Sequence, residues 1–284
     1  LGLMPGTNEV FADRLIDGVR RLGPLCVGID PHPALLPPLF GPPGPDAAAR
    51  WGAALLERSA GKVAVVKPQA GLFERWGARG FAALETVCEA ATRAGLIVIL
   101  DAKRGDIGTT AEGYARATLG PAPGFDADCV TINPYMGLDT LEPFIATAQA
   151  NAKGVAVLVR TSNPGAGDVQ DLQVGGAPVW RRVAEMLSPL QARLQGASGW
   201  SGLMAVAGAT YPEEARTLRE TMPHALFLVP GYGAQGASAA DAVAGFVKNA
   251  RGLEGGIVSS SRAVSYPPAA QSATNLSDWR AAIN

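Results

Sequence analysis

LIVILDAKRGDIGTT, residues 96–110, joins five apolar residues directly to Asp101, Lys103 and Asp106. A short, unbroken apolar run of this kind is what a strand buried on both faces requires. The charges follow it without an intervening turn. In a chain only 17% charged, acid, base and acid at the end of a buried strand call for particular neighbours. A surface face would offer them water; a catalytic cluster would offer them one another and a substrate.

Seven other runs have the same character: LCVGI (25–29), VAVVK (63–67), DCVTI (128–132), VAVLV (155–159), LMAVA (203–207), LFLVP (226–230) and GIVSS (256–260). Segments with helical spacing lie between them, among them FAALETVCEAATRAG (81–95), VWRRVAEMLSPLQARL (179–194), PEEARTLRETM (212–222) and AADAVAGFVKNA (239–250). Strands alternating with helices argue for parallel βα units. Eight units in 284 residues point to a closed (β/α)₈ barrel, the TIM-barrel form of the α/β class, rather than a doubly wound sheet. The first run also lacks the GxGxxG turn of a dinucleotide-binding sheet. FADRLIDGVRRLG (11–23) is an extra N-terminal helix ahead of the first strand, placed to close the barrel bottom. The Pro-rich stretch 31–46 reads as an ordered loop, because helical spacing resumes at once in AAARWGAALLERSA. The expectation is a single domain over residues 1–284.

Composition narrows the function classes. The 24 basic and 25 acidic side chains give a net charge of −1 without a long basic run, so no footprint for nucleic acid or an anionic membrane is visible. No apolar run reaches the ~18 residues of a membrane span. The opening LGLMPGTNEVFADRL has no basic region followed by an apolar stretch and does not read as a secretory signal. Met4 is the expected natural start, and a soluble cytoplasmic protein the expected class. Cys26, Cys88 and Cys129 lie inside apolar stretches with no metal-binding spacing, and read as buried packing residues in a reducing compartment. His32 and His224 are isolated and are read as non-catalytic.

Barrel chemistry collects at the carboxyl ends of the strands, and so do the polar residues here. The first strand ends in Asp30, the second in Lys67, the third in Asp101 and Lys103, the fourth in Asn133, and the fifth in Arg160 and Ser162. The seventh runs into PGYGAQG (230–236) and the eighth into SSSR (259–262). Asp30 alone has a bland alternative as a helix cap. Asp101 and Lys103, two residues apart on a continuing strand, face the same way. A turn that brings Asp106 back near Lys103, with Lys67 reaching from the neighbouring strand, makes an alternating array of two ammoniums and two carboxylates. The competing account is an ion-pair network that merely closes the barrel top. Buried ion pairs are poor stabilisers, so function explains the array more readily. Glycine-exposed amides in PGYGAQG, with Arg262 as a bidentate donor, fit a phosphate.

Taken in order, LCVGIDPHP (25–33), VVKPQ (65–69), DAKRGDIGTT (101–110), TSNPG (161–165) and VPGYGAQG (229–236) resemble the orotidine 5′-phosphate decarboxylase family in its longer-chain bacterial form, from about residue 25 to 266. DxKxxD alone is shared with a wider superfamily of barrel decarboxylases and aldolases; the ordered set is specific. The resemblance implies a cofactor-free, metal-free homodimer that converts orotidine 5′-monophosphate (OMP) to uridine 5′-monophosphate (UMP) and CO₂, the last step of de novo pyrimidine synthesis. It implies Lys67, Asp101, Lys103 and Asp106 as the catalytic array, with Lys103 as proton donor. Asp106, Ile107 and Thr110 would cross the dimer interface. Asp30 would bind a ribose hydroxyl, Ser162 the pyrimidine, and Gln235 and Arg262 the phosphate. The long Gly-rich loop 161–176 reads as a lid over the base. Two other readings stand beside this one. A metal-dependent sugar-phosphate decarboxylase or aldolase of the same superfamily would need an acidic ligand in place of Lys67. A catalytically silent nucleotide-binding barrel would have no use for Lys103 flanked by both acids.

Overall fold

The computed structural model describes residues 9–232, 236–250 and 252–283; Met4 and Gln235 lie outside them. Eight strands form the barrel: β1 Leu25–Ile29, β2 Val65–Pro68, β3 Ile97–Arg104, β4 Cys129–Ile132, β5 Gly154–Arg160, β6 Ser201–Ala207, β7 Ala225–Val229 and β8 Gly256–Ser260. All eight coincide with the apolar runs. Each pairs in parallel with its chain neighbours, and β1 pairs with β8, so the sheet has no edge.

The two-residue period of a strand divides these residues between two cores. Val27, Val66, Val98, Val130, Val155 and Phe227 point outward and pack beneath the helices. Cys26, Val65, Ile99, Cys129, Ala156, Met204, Leu226 and Ile257 point inward and form a separate cluster. That inner cluster includes Phe11, Leu15, Ile16 and Val19 of the helix Phe11–Leu22, which plugs the end where the strands begin, as expected. Phe11 enters because Gly154 and Gly202 offer no side chain; a Cβ on Gly154 would lie 2.4 Å from the Phe11 ring. One step further along the inner face the residues change from apolar to polar: Lys67 follows Val65, Asp101 follows Ile99, Thr131 follows Cys129 and Ser259 follows Ile257. The same alternation that builds the core therefore aims the polar set into the mouth.

The Pro-rich stretch is ordered. Phe40 is buried and meets Trp279 edge-on at 5.1 Å, and Arg50 Nε donates to the Phe40 carbonyl at 2.9 Å. Two helical expectations are corrected. The segment 179–194 is α-helical only over Val179–Leu187 and continues as the 3₁₀ helix Ser188–Leu194, where Pro189 cannot supply an amide. In 239–250 the helix covers only Ala239–Ala242, and Val247–Asn249 pairs with Gly252–Glu254 as an antiparallel hairpin. Tertiary contacts override the helical spacing there. Gly245 abuts the Phe227 ring, where a Cβ would lie 2.7 Å away, and the hairpin delivers buried Glu254 to Arg20 Nε at 3.0 Å and Trp200 Nε1 at 3.2 Å. Among the described residues no helix is long and apolar enough to cross a membrane. The three cysteines are free and buried.

Candidate active site

β3 continues beyond its apolar part to Arg104, and this extension carries Asp101 and Lys103 into the mouth. Lys67 Nζ lies 2.6 Å from Asp101 Oδ2 and Lys103 Nζ lies 2.5 Å from Asp101 Oδ1. One carboxylate thus bridges two ammoniums. Gln69 Nε2 donates to Oδ2 at 3.1 Å and Thr131 Oγ1 donates to Oδ1 at 3.0 Å, so Asp101 is held from four directions. Lys67 and Asp101 are buried, whereas the Lys103 side chain is 48% exposed. Burial alone would raise the Asp101 pKa, but the Lys67 and Lys103 charges reverse this and hold it well below the usual carboxylate range. Burial alone would lower Lys67, and Asp101 with Asp30 raises it instead.

Lys103 has φ +47°, a left-handed conformation uncommon for a residue with a side chain. Thr131 Oγ1 accepts from both Ala102 N and Lys103 N at 2.9 Å and fixes that kink. The β3–β4 register shifts between Leu100 and Arg104, a bulge that re-aims the side chain.

The array forms one wall of a cavity of about 800 Å³ that also takes in Asp30, Ser162, Pro230, Gly231, Tyr232 and Arg262, a size suited to a small organic ligand. Asp30 Oδ1 has no hydrogen-bond partner among the described residues, while its backbone carbonyl accepts from Tyr266 Oη at 2.7 Å. Tyr266 is stacked on Trp51 at 5.0 Å. Gly28 makes room for this corner, since a Cβ there would lie 1.9 Å from Ser261 Oγ. Arg262 opens the short helix after β8 and makes no ion pair among the described residues.

Residues 23–273 match the profile of the Orotidine 5′-phosphate decarboxylase / HUMPS family. The chain belongs to this family. A Rhodopirellula baltica protein named orotidine 5′-phosphate decarboxylase is 41% identical over 289 residues, covering 96% of this chain and 95% of its own. A Deinococcus radiodurans protein of the same name is 44% identical over 266 residues, covering 93% and 90%. The solved structure of Leishmania donovani OMP decarboxylase is similar with a TM-score of 0.76 at 33% identity, covering 95% of this chain and 93% of that one.

Of the residues that the orotidine 5′-phosphate decarboxylase resemblance points to, Asp30, Lys67, Asp101, Lys103, Ser162 and Arg262 line the one cavity. Gln235 lies outside the described residues. Asp106, Ile107 and Thr110 do not line it, which corrects the reading that a turn returns Asp106 to Lys103 within the chain. The reason is local. Asn133 N donates to the Arg104 carbonyl at 2.8 Å and Gly105 packs on Asn133, so the chain leaves over β4. Asp106 Oδ1 then accepts from Ile107 N at 2.8 Å, just ahead of the helix Gly108–Leu119 that carries Thr110. Arg160 also turns away, into contacts with Glu214 and Asp171, and Asn133 Oδ1 accepts from Tyr135 N. Sequence reasoning missed Thr131, Gln69 and Tyr266. Thr131 was within reach, because it stands on the inward parity of DCVTI at the height of Asp101.

Proposed function

We propose that this protein decarboxylates OMP to UMP and CO₂, acting as a homodimer of single-domain subunits in the cytoplasm. The observation that carries the reading is the Lys67–Asp101–Lys103 array with its outer ammonium open to the cavity. When the C6–CO₂ bond breaks, its electron pair stays on C6, where no adjacent carbonyl delocalises it. Stabilisation falls to fixed charge already in position before the bond breaks. Within one subunit, two ammoniums and one carboxylate carry one net positive charge, before Asp106 of a second copy is counted. Lys103 Nζ supplies the proton that forms the C6–H bond and is itself reprotonated from solvent. Asp101 stands near the departing carboxylate, and two unit charges ~4 Å apart repel by about 4 kcal/mol at an effective dielectric of ~20. That repulsion vanishes as neutral CO₂ leaves. In this reading Asp30 takes a ribose hydroxyl, Ser162 the pyrimidine, and Arg262 with Gln235 the phosphate, whose remote binding free energy helps to close the site.

The second copy is supported by what the single chain leaves exposed. Ile107 is 60% exposed and Tyr135 85%, with Met136 and Leu138 also exposed, beside an Asp106 that makes no ion pair among the described residues. Three buried free cysteines suit a reducing compartment. The reading calls for no metal or organic cofactor, and Lys67 stands where the metal-dependent members of the superfamily would need an acid. Purified protein should consume the orotidylate absorbance of OMP and release one CO₂ per UMP, unchanged by chelator. Turnover that chelator abolishes would favour the metal-dependent reading. UMP binding without turnover would leave a silent nucleotide-binding barrel.

A further inference from the structure

At the end of β5, Arg160 is 2% exposed yet turned away from the cavity. Its Nε and Nη2 donate to Glu214 Oε2 at 2.5 Å and Oε1 at 3.3 Å. Nη1 lies 2.9 Å from Asp171 Oδ1 and 3.5 Å from Gln170 Oε1, and the Tyr211 ring lies 3.9 Å from Cζ. Gln170 turns back to the beginning of the same loop: its Oε1 accepts from Thr161 N at 3.0 Å and its Nε2 donates to Thr161 Oγ1 at 2.7 Å. Thr161 Oγ1 in turn donates to Asn163 Oδ1 at 2.6 Å. The chain from 161 to 171 therefore leaves one guanidinium and returns to it. Its first residues, Thr161, Ser162 and Asn163, form cavity wall. Gly208 N donates to the Arg160 carbonyl at 2.8 Å, and a Cβ on Gly208 would lie 3.0 Å from Ser162 Cβ, so Ser162 is seated against the end of β6 as well.

We infer that Arg160, acting through Gln170 and Asp171, is a positioning residue that fixes Ser162 against the pyrimidine, so that recognition of the base, but not of the ribose phosphate, depends on it. This rests on the decarboxylase reading and on the place given there to Ser162. An ion cluster of partly exposed carboxylates around one buried guanidinium is a weak source of stability compared with apolar packing. It is a good source of geometry, because a planar guanidinium binds its carboxylates in a fixed fork. Holding the loop in its binding conformation beforehand removes an ordering cost from ligand binding.

The experiment is a double-mutant cycle on the full chain, reading dissociation constants for UMP and for ribose 5-phosphate by calorimetry, with thermal melting alongside. Gln170→Ala should weaken UMP by about tenfold while ribose 5-phosphate changes by less than about twofold. In a Ser162→Ala background, Gln170→Ala should have no further effect on UMP, because the two residues act as one unit. Arg160→Lys, which keeps the charge and loses the fork, should show the same selective loss. Equal weakening of both ligands, or an undiminished Gln170→Ala effect without the Ser162 hydroxyl, would overturn the inference and leave the cluster a structural one. If the parent protein binds neither ligand, the decarboxylase reading fails first and the inference falls with it.

Discussion

Asp101 accepts from two lysines, a threonine and a glutamine, and this crowding at one carboxylate decides how the site behaves. Thr131 is the least conspicuous partner and has a measurable role, because its Oγ1 also accepts two backbone amides of the kink at Lys103. Thr131→Val keeps the shape and leaves those amides unpaired. It should cost about 1–3 kcal/mol in urea denaturation and lower turnover together with stability; full stability would show that the hydroxyl does not hold the kink. The charged pair also has a pH signature. Asp101 sits below its ordinary 3.8, so its stabilising contribution is complete above that value and is lost as pH falls through its lower folded pKa. Lys67 sits above its ordinary 10.5, so its contribution is complete below that value and is lost as pH rises through its higher folded pKa. The stability gap between the parent and the double variant Lys67→Met/Asp101→Leu should therefore stay constant from about pH 5 to about pH 9. A slope inside that window, in denaturation curves taken across it, would mean that another group titrates with folding.

At the scale of elements, the strand ends carry the site and the helix Phe11–Leu22 carries the floor beneath it. Phe11 is fully buried against Gly154 and Gly202. Phe11→Ala should cost about 3–5 kcal/mol in equilibrium unfolding and leave the affinity for UMP intact, since the floor lies at the opposite end from the array. The strands and this helix were legible because buried parallel strands read as unbroken apolar runs and the helix carries a clear apolar stripe. The stretch 239–250 was not, because its helical spacing is overridden by Phe227 packing on Gly245 and by Glu254 reaching Arg20. Those contacts come from residues far away in the chain. Arg160, one of the polar strand ends, turns away for a related reason: the register shift between Leu158 and Arg160 where β5 meets β6 breaks the alternation that would have turned it inward.

For the whole molecule, one chain supplies the Lys67–Asp101–Lys103 array but holds Asp106 apart from it. The position of Asp106 relative to a neighbouring cavity belongs to an assembly, and only the resemblance spoke to that. If each site combines Lys103 of one subunit with Asp106 of the other, Lys103→Ala and Asp106→Ala proteins, each nearly inactive alone, should regain about a quarter of parental turnover when unfolded and refolded together in equal amounts, because half the dimers are mixed and each has one intact site. No regain, with mixed dimers demonstrated by mass, would place Asp106 outside the site. The Gly-rich loop after β7 and the arginine after β8 were legible as neighbours, and Gly231 and Arg262 both line the cavity. Gln69 and Tyr266 carried no comparable signal, since neither stands in a run of charged residues and each acts through partners distant in the chain, Gln69 on Asp101 and Tyr266 on Asp30 and Trp51.

The account turns on the ammonium of Lys103, which is tied to Asp101 at 2.5 Å and open to the cavity. The most direct test measures OMP decarboxylation and UMP affinity on the same preparation of Lys103→Ala. The account predicts that turnover falls by at least about a thousandfold, more than 4 kcal/mol of transition-state stabilisation, while UMP still binds through the ribose and phosphate contacts. Turnover close to that of the parent protein would contradict it.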